Sequence, residues 1–252
     1  MSVPSVQPPV VATAEDVWFA YHDQNWVLKG LDLTIREGAF LAVLGPSGVG
    51  KSTLLKLLAG MLRPTRGRLE TLGHQAGEPG WNHFRAQIGY IPQQLGLVRN
   101  VSALDNVLMG CLSRRQNPLI FLGIFPRVEV DAARELLSLL GIRDKANELV
   151  SRLSGGQRQR VAIARTLLQR PKLVVADEFV SDLDLPLAAE LLQKVKEVSK
   201  QNNVSFVMAM HEVPLVQRFG DEVVVLHQGG LVHRGRAADM DMAALEDILN
   251  EA

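Results

Sequence analysis

An α/β fold built on a mainly parallel sheet is predicted by three features of this 252-residue chain. Short apolar runs of buried-strand length recur along it, amphipathic helical patterns lie between them, and a glycine-rich junction follows one of the runs. Apolar runs with no polar side suit strands covered on both faces. The composition, 47% hydrophobic and 21% charged, belongs to an ordered chain with a sizeable core.

The elements follow in order. The first ten residues, rich in proline, read as a loose tail. "LDLTI", Leu31 to Ile35, alternates apolar and polar residues as a half-exposed strand does, whereas "FLAVL", Phe40 to Leu44, is apolar throughout. "STLLKLLAGML", Ser52 to Leu62, has helical spacing. From about Gln94 to about Ser151 there is no strand pattern. That stretch, which contains the helical run Asp131 to Gly141, reads as a helical subdomain inserted in an α/β core. Helical patterns at Gly156 to Gln169 and Leu187 to Lys200 then alternate with strand patterns at Lys172 to Ala176, Ser205 to Met210 and Glu222 to Leu226. A short acidic helix is expected over about 239–250.

Lys and Arg balance Asp and Glu at 27 each, which argues against a nucleic-acid partner, so any phosphate binding has to be local. The single cysteine, Cys111, has no internal disulfide partner, and the N-terminal residues lack the basic start and apolar segment of a signal peptide. A cytoplasmic protein is expected. The apolar stretch "PLIFLGIF", Pro118 to Phe125, is far short of the about 20 residues that span a bilayer.

Three motifs carry chemistry. In "LGPSGVGKST" the residues Gly45, Gly50, Lys51 and Ser52 meet the pattern Gly-x-x-x-x-Gly-Lys-Ser/Thr between a strand and a helix, with Gly48 as an extra glycine. Small residues let backbone N–H groups wrap a phosphate chain, and the helix start aims its positive dipole end at the same place. Lys51 would neutralise the β- and γ-phosphates, and the Ser52 hydroxyl would ligate Mg²⁺. "LVVADE", Leu173 to Glu178, ends a buried strand in two carboxylates, at the strand end where α/β sheets bind ligands. Asp177 would reach Mg²⁺, and Glu178 would orient and deprotonate an attacking water. In "LSGGQRQR", Leu153 to Arg160, Ser154 has the character of an N-cap, and Gly155 and Gly156 leave the first turn of the next helix unobstructed, a second anion site.

Together these residues resemble the ATP-binding cassette (ABC) ATPases, over nearly the whole chain from about Val11 to about Gly235. "GPSGVGKST" resembles the family's Walker A loop, "LVVADE" its Walker B strand and "LSGGQ" its signature. The resemblance implies a P-loop core over about 11–93 and 158–236 with an N-terminal antiparallel β part, and a helical subdomain over about 94–157. It implies ATP contacts from Gly45, Pro46, Ser47, Gly48, Val49, Gly50, Lys51, Ser52 and Thr53. Tyr21 matches the aromatic that stacks on adenine, although a plain strand aromatic is the alternative. Gln93, rather than Gln94, matches the glutamine that senses Mg²⁺ and water, and His211 matches the switch histidine at the γ-phosphate. The other five histidines show no metal-ligand spacing.

In the family two cassettes meet head to tail, so the resemblance implies a homodimer in which Ser154, Gly155, Gly156 and Gln157 of one chain, with the loop containing Asp184, close over ATP held by the other. It further implies membrane permease subunits, an indirect periplasmic solute-binding partner, and a position on the cytoplasmic face of the inner membrane. Two positions depart from the family's Asp-Glu-Pro-x-Ser-x-Leu-Asp: Phe179 replaces the proline, and Asp182 stands where a small residue is usual, while Ser181 and Asp184 are kept. Either departure is expected to slow hydrolysis or alter communication across the dimer, with the ATPase remaining competent. The middle segment is similar to phosphonate-import ATPases, which implies import of phosphonate, phosphite or another small oxyanion. Polar amino acid import, lipoprotein or macrolide export, and envelope signalling are the alternatives. The apolar stretch from Leu119 to Phe125 fits equally a groove for a membrane subunit's coupling helix and a core helix.

Overall fold

A computed structural model of the protein describes residues 8–22, 25–76, 78, 84–114, 120, 123–181 and 183–240. Strands β1 (Val10–Ala20), β2 (Trp26–Arg36), β4 (Arg66–Thr71) and β5 (His74–Gln75) form an antiparallel sheet in the order β2-β1-β4-β5. Strands β3 (Phe40–Leu44), β6 (Ile88–Ile91), β7 (Leu173–Asp177), β8 (Ser205–Ala209), β9 (Glu222–His227) and β10 (Gly230–Arg236) form a second sheet in the order β10-β9-β3-β8-β7-β6. All its pairs are parallel except β9 with β10.

The uninterrupted apolar runs are explained by where alternate side chains go. Along β3, Phe40, Ala42 and Leu44 enter one buried cluster, while Leu41 and Val43 enter another. The period of two that marks any strand is present, with both faces dry. One cluster holds helix α1 (Lys51–Leu58) and the antiparallel sheet. The other holds α2 (Ala103–Leu108), α3 (Arg127–Leu139), α4 (Gly155–Leu168), α5 (Leu185–Asn202) and α6 (Val213–Phe219). Between β6 and β7 the chain runs through α2, α3, α4 and short 3₁₀ turns, and among the described residues its strand-like contact is an isolated bridge between Ser102 and Leu149.

The structure corrects several sequence expectations. The helix expected to reach Leu62 stops at Leu58, because Gly60 takes φ 67° and a Schellman turn closes the end: Gly60 N–H donates to Leu57 O at 2.9 Å, and Met61 N–H to Lys56 O at 2.8 Å. Helix α3 begins four residues before Asp131, at Arg127 behind Pro126, and ends before Gly141 at φ 73°. The polar strands β4 and β5 were not predicted. Of the expected loose tail, Pro8 and Pro9 are tied to Arg36 and Glu37 by backbone-carbonyl hydrogen bonds of 3.2 and 2.8 Å, and residues 1–7 lie outside the described residues. So does most of the expected acidic helix, 241–252, together with Pro118, Leu119, Phe121, Leu122 and Asp182. In the apolar stretch Ile120 is buried, Ile124 is exposed, and Phe125 packs partly on the core.

Candidate functional site

Strand β3 delivers the chain to the sheet's carboxyl edge, where the glycine-rich loop turns into α1. Gly45 and Gly50 have φ 150° and 116°, and a Cβ on them would lie 2.5 Å from the Leu226 carbonyl oxygen and 2.8 Å from the Leu28 side chain. Space and backbone angle both demand glycine. Gly50 is the N-cap of α1, and no side chain caps it. The first-turn N–H groups and the dipole end are therefore offered to a ligand, as an anion cradle requires.

Lys51 is buried, and its ammonium donates to the Gly45 and Pro46 carbonyls at 2.8 and 3.1 Å. Burial lowers its pKa, against the raising effect of Glu178 and Asp177. Glu178 Oε1 lies 3.7 Å from the ammonium. The Ser52 hydroxyl, one residue on, donates to Asp177 Oδ1 at 3.0 Å. Asp177 is 6% exposed, and burial raises its pKa, opposed by that hydrogen bond and reinforced by the charge of Glu178. A hydroxyl beside a buried carboxylate is a hard oxygen donor set of the kind that suits Mg²⁺.

Glu178 follows β7 with φ 50°, and its carboxylate lies beside the cradle's Lys51. Its Oε1 pairs with His211 Nε2 at 2.5 Å, and its Oε2 accepts from Gln93 Nε2 at 3.2 Å. Gln93 follows β6, and His211 follows β8, so three neighbouring strand ends supply one carboxylate and two of its partners. Ser181 Oγ donates to the Glu178 carbonyl at 2.8 Å, and Phe179, where the family pattern has proline, is buried at 1% exposure in the helical-side cluster.

Tyr21 is half exposed, and its hydroxyl shares a hydrogen bond of 3.2 Å with Thr53 Oγ1 on α1. Its ring meets Phe19 edge to face at 4.9 Å between centroids, whereas Trp18 and Trp26 pair with each other. The sequence reading missed Tyr90, whose phenol is pushed up to about 12, by burial first and then by Asp177 and Tyr21. Its place in "IGYIPQQ", three residues before Gln93, was the available signal.

The third motif stands apart. Ser154 caps α4, with Ser154 Oγ accepting from Gln157 N–H at 3.3 Å and Gln157 Oε1 accepting from Ser154 N–H at 3.0 Å, a complete capping box. Gly155 has nothing within 4 Å of where a Cβ would be, but Gly156 does not keep its side of the turn clear as expected: Leu187 and Leu183 lie 3.0 and 3.2 Å from its Cβ position. Among the described residues no hydrogen bond or ion pair links Ser154 to Gln157 with the Lys51, Asp177 and Glu178 group. Asp184, given to the nucleotide by the resemblance, caps α5 by accepting from Leu187 N–H at 2.9 Å. Among the described residues no cluster of three His, Cys, Asp or Glu side chains is placed to hold a metal, and no helix is long and apolar enough to cross a membrane.

Comparison with known proteins gives the family and the fold. Residues 28–181 match the sequence profile of the ABC transporter family. The phosphonates import ATP-binding protein PhnC of Thiobacillus denitrificans is 38% identical over 221 residues, 88% of this chain and 85% of the relative. The hypophosphite import ATP-binding protein HtxD of Stutzerimonas stutzeri is 40% identical over 216 residues, 84% of this chain and 63% of the longer relative. Among solved structures, cbiO1 of Clostridium perfringens superposes with a TM-score of 0.81 at 27% identity, over 92% of this chain and 90% of that one. The dimeric bacterial ABC transporter cassette MJ0796 superposes with a TM-score of 0.80 at 27% identity, over 90% of this chain and 98% of that one. The expected fold and the likeness to phosphonate-import ATPases are both borne out.

Proposed function

This chain belongs to the ABC transporter family, and from that premise we propose that it is the ATP-hydrolysing subunit of an importer for phosphonate, hypophosphite or a similar small oxyanion. The observation that carries the catalytic part is the convergence of Gln93, His211 and Lys51 on the Glu178 carboxylate at the lip of an uncapped glycine cradle. The solute part is supported by the relatives named above.

In this reading the loop from Gly45 to Thr53 wraps the triphosphate with backbone N–H groups, and Tyr21 stacks on adenine. Lys51 exchanges its bonds to the Gly45 and Pro46 carbonyls for phosphate oxygens, whose charge offsets the loss of hydration that burial imposes on the ammonium. Ser52, Asp177 and Gln93 would hold Mg²⁺, which when bound neutralises charge on the phosphates. Glu178 accepts the proton of the attacking water, oriented by Gln93 and His211, which also faces the γ-phosphate. A second copy supplies Ser154, Gly155, Gly156 and Gln157 across the dimer seam, with Asp184 beside them. The helical segment, about 94–157, and the core, about 11–93 and 158–236, act as separate subdomains. Permease subunits dock on the chain at the cytoplasmic face of the membrane, and a periplasmic binding protein selects the solute.

The test is reconstitution with the cognate permease and binding protein in vesicles. ATP hydrolysis stimulated by a phosphonate or hypophosphite, and not by a polar amino acid, is the expected result; stimulation by the amino acid alone refutes the solute assignment.

A further inference from the structure

The loop after Gln93 is held by a side chain from a distant helix. Arg165, on α4, donates through Nη1 to the Gly96 carbonyl and through Nη2 to the Leu95 carbonyl, both at 2.7 Å. Leu95 and Gly96 have φ 59° and 57°, so two successive residues sit in the left-handed region. That conformation is strained for a non-glycine residue such as Leu95 and persists only where surroundings enforce it. The guanidinium fork matches the two carbonyls it turns outward. At the C-cap of the same helix, Gln169 Nε2 donates to the Ala86 and Ile88 carbonyls at 2.9 and 2.8 Å. Helix α4 thus grips the chain on both sides of β6. Beyond the loop, Asn106 exchanges hydrogen bonds of 2.8 and 2.9 Å with the Val98 backbone.

We propose that Arg165 is a positioning residue for Gln93: by clamping the Leu95 and Gly96 carbonyls it fixes the turn that brings the Gln93 amide to the Glu178 carboxylate. The proposal rests on the reading of Gln93 given above. A lysine in its place keeps the charge but is a single flexible point donor, without the rigid planar fork that fixes both carbonyls at once.

Four variants test it: Arg165→Ala, Arg165→Lys, Gln93→Ala, and Arg165→Ala with Gln93→Ala. Arg165→Ala and Arg165→Lys should each lower kcat about 10-fold or more, the scale on which small displacements of a reacting geometry act. KM for ATP should stay within about 2-fold. Added to Gln93→Ala, Arg165→Ala should cost nothing further, because its route is already cut. In the nucleotide-free protein, hydrogen exchange at the amides of residues 95 and 96 should quicken in both Arg165 variants. If Arg165→Ala fails to fold, Arg165→Lys carries the comparison. Unchanged kcat in the Arg165 variants, unchanged exchange, or a full additional loss in the double variant overturns the proposal. Full activity in Gln93→Ala alone would refute the Gln93 reading by itself, and a loss in Arg165→Ala beside it would overturn the positioning role as well.

Discussion

Helices α1 and α4 both begin at glycine-containing motifs, and their starts are opposites. The start of α1 carries no side-chain cap and is buried behind glycines whose Cβ positions collide with neighbours. The start of α4 is closed by its own Ser154 and Gln157, and Gly155 faces open space. An uncapped helix end in a folded core leaves donors that a ligand has to satisfy. A self-capped end is stable alone, and the Ser154 hydroxyl, although accepting from Gln157, still has its own O–H to give. In the function proposed above, the first end is a receptor within one chain, and the second is a lid presented to another.

The largest test of this division is at the Glu178 carboxylate beside the α1 start. Glu178→Gln should lower kcat about 10³-fold or more, the upper range for losing a general base, while leaving ATP binding intact, as steady-state hydrolysis and a nucleotide titration will show. Next, Gly155→Asp should abolish ATP-dependent dimerisation without destabilising the chain, since nothing lies within 4 Å of the new Cβ and an acidic residue suits a helix N-terminus. Sedimentation and a thermal melt read both halves; a melt lowered by several degrees would break the comparison. ATP at about 100 times its Kd should stabilise the single chain by about 2.7 kcal/mol through the α1 end, a rise in Tm of about 2–4 °C per kcal/mol. Lys51→Ala should erase that rise.

The smallest effect concerns Asp177. Its pKa is raised by burial, so the ionised form is penalised in the fold: the cost grows as pH rises from 3.8, the ordinary value, through the folded pKa, and is constant above it. Asp177→Asn, which still accepts from Ser52, should therefore raise the Tm of the nucleotide-free protein at pH 7. The gain should shrink as pH falls towards 4, and a gain that grows on acidification would contradict the assigned cause.

Legibility followed the range of the interactions. The dry strands β3, β7, β8 and β9 could be read because burial on both faces writes itself into consecutive residues, and the start of α4 because its cap lies within four residues. Strands β4 and β5 could not, since "RGRLET" and "HQ" take their places from pairing with β1 and with each other. The cradle residues were legible as a motif, but the grip of Arg165 on Leu95 and Gly96 joins positions about seventy residues apart, and no local pattern records it. Gly156 shows the opposite case, a residue identified by motif whose inward face is filled by Leu183 and Leu187 from the α5 approach.

The central claim is that one chain's α1 start and another's α4 start enclose the same triphosphate. It is tested by mixing two defective chains, Lys51→Ala and Gly155→Asp, each also carrying Glu178→Gln, and following association by sedimentation with ATP and Mg²⁺. Each alone should stay monomeric, and the mixture should form heterodimers, because pairing the Gly155→Asp chain's cradle with the Lys51→Ala chain's intact α4 start restores one complete site. No association on mixing, or dimers formed equally well by either chain alone, would contradict it.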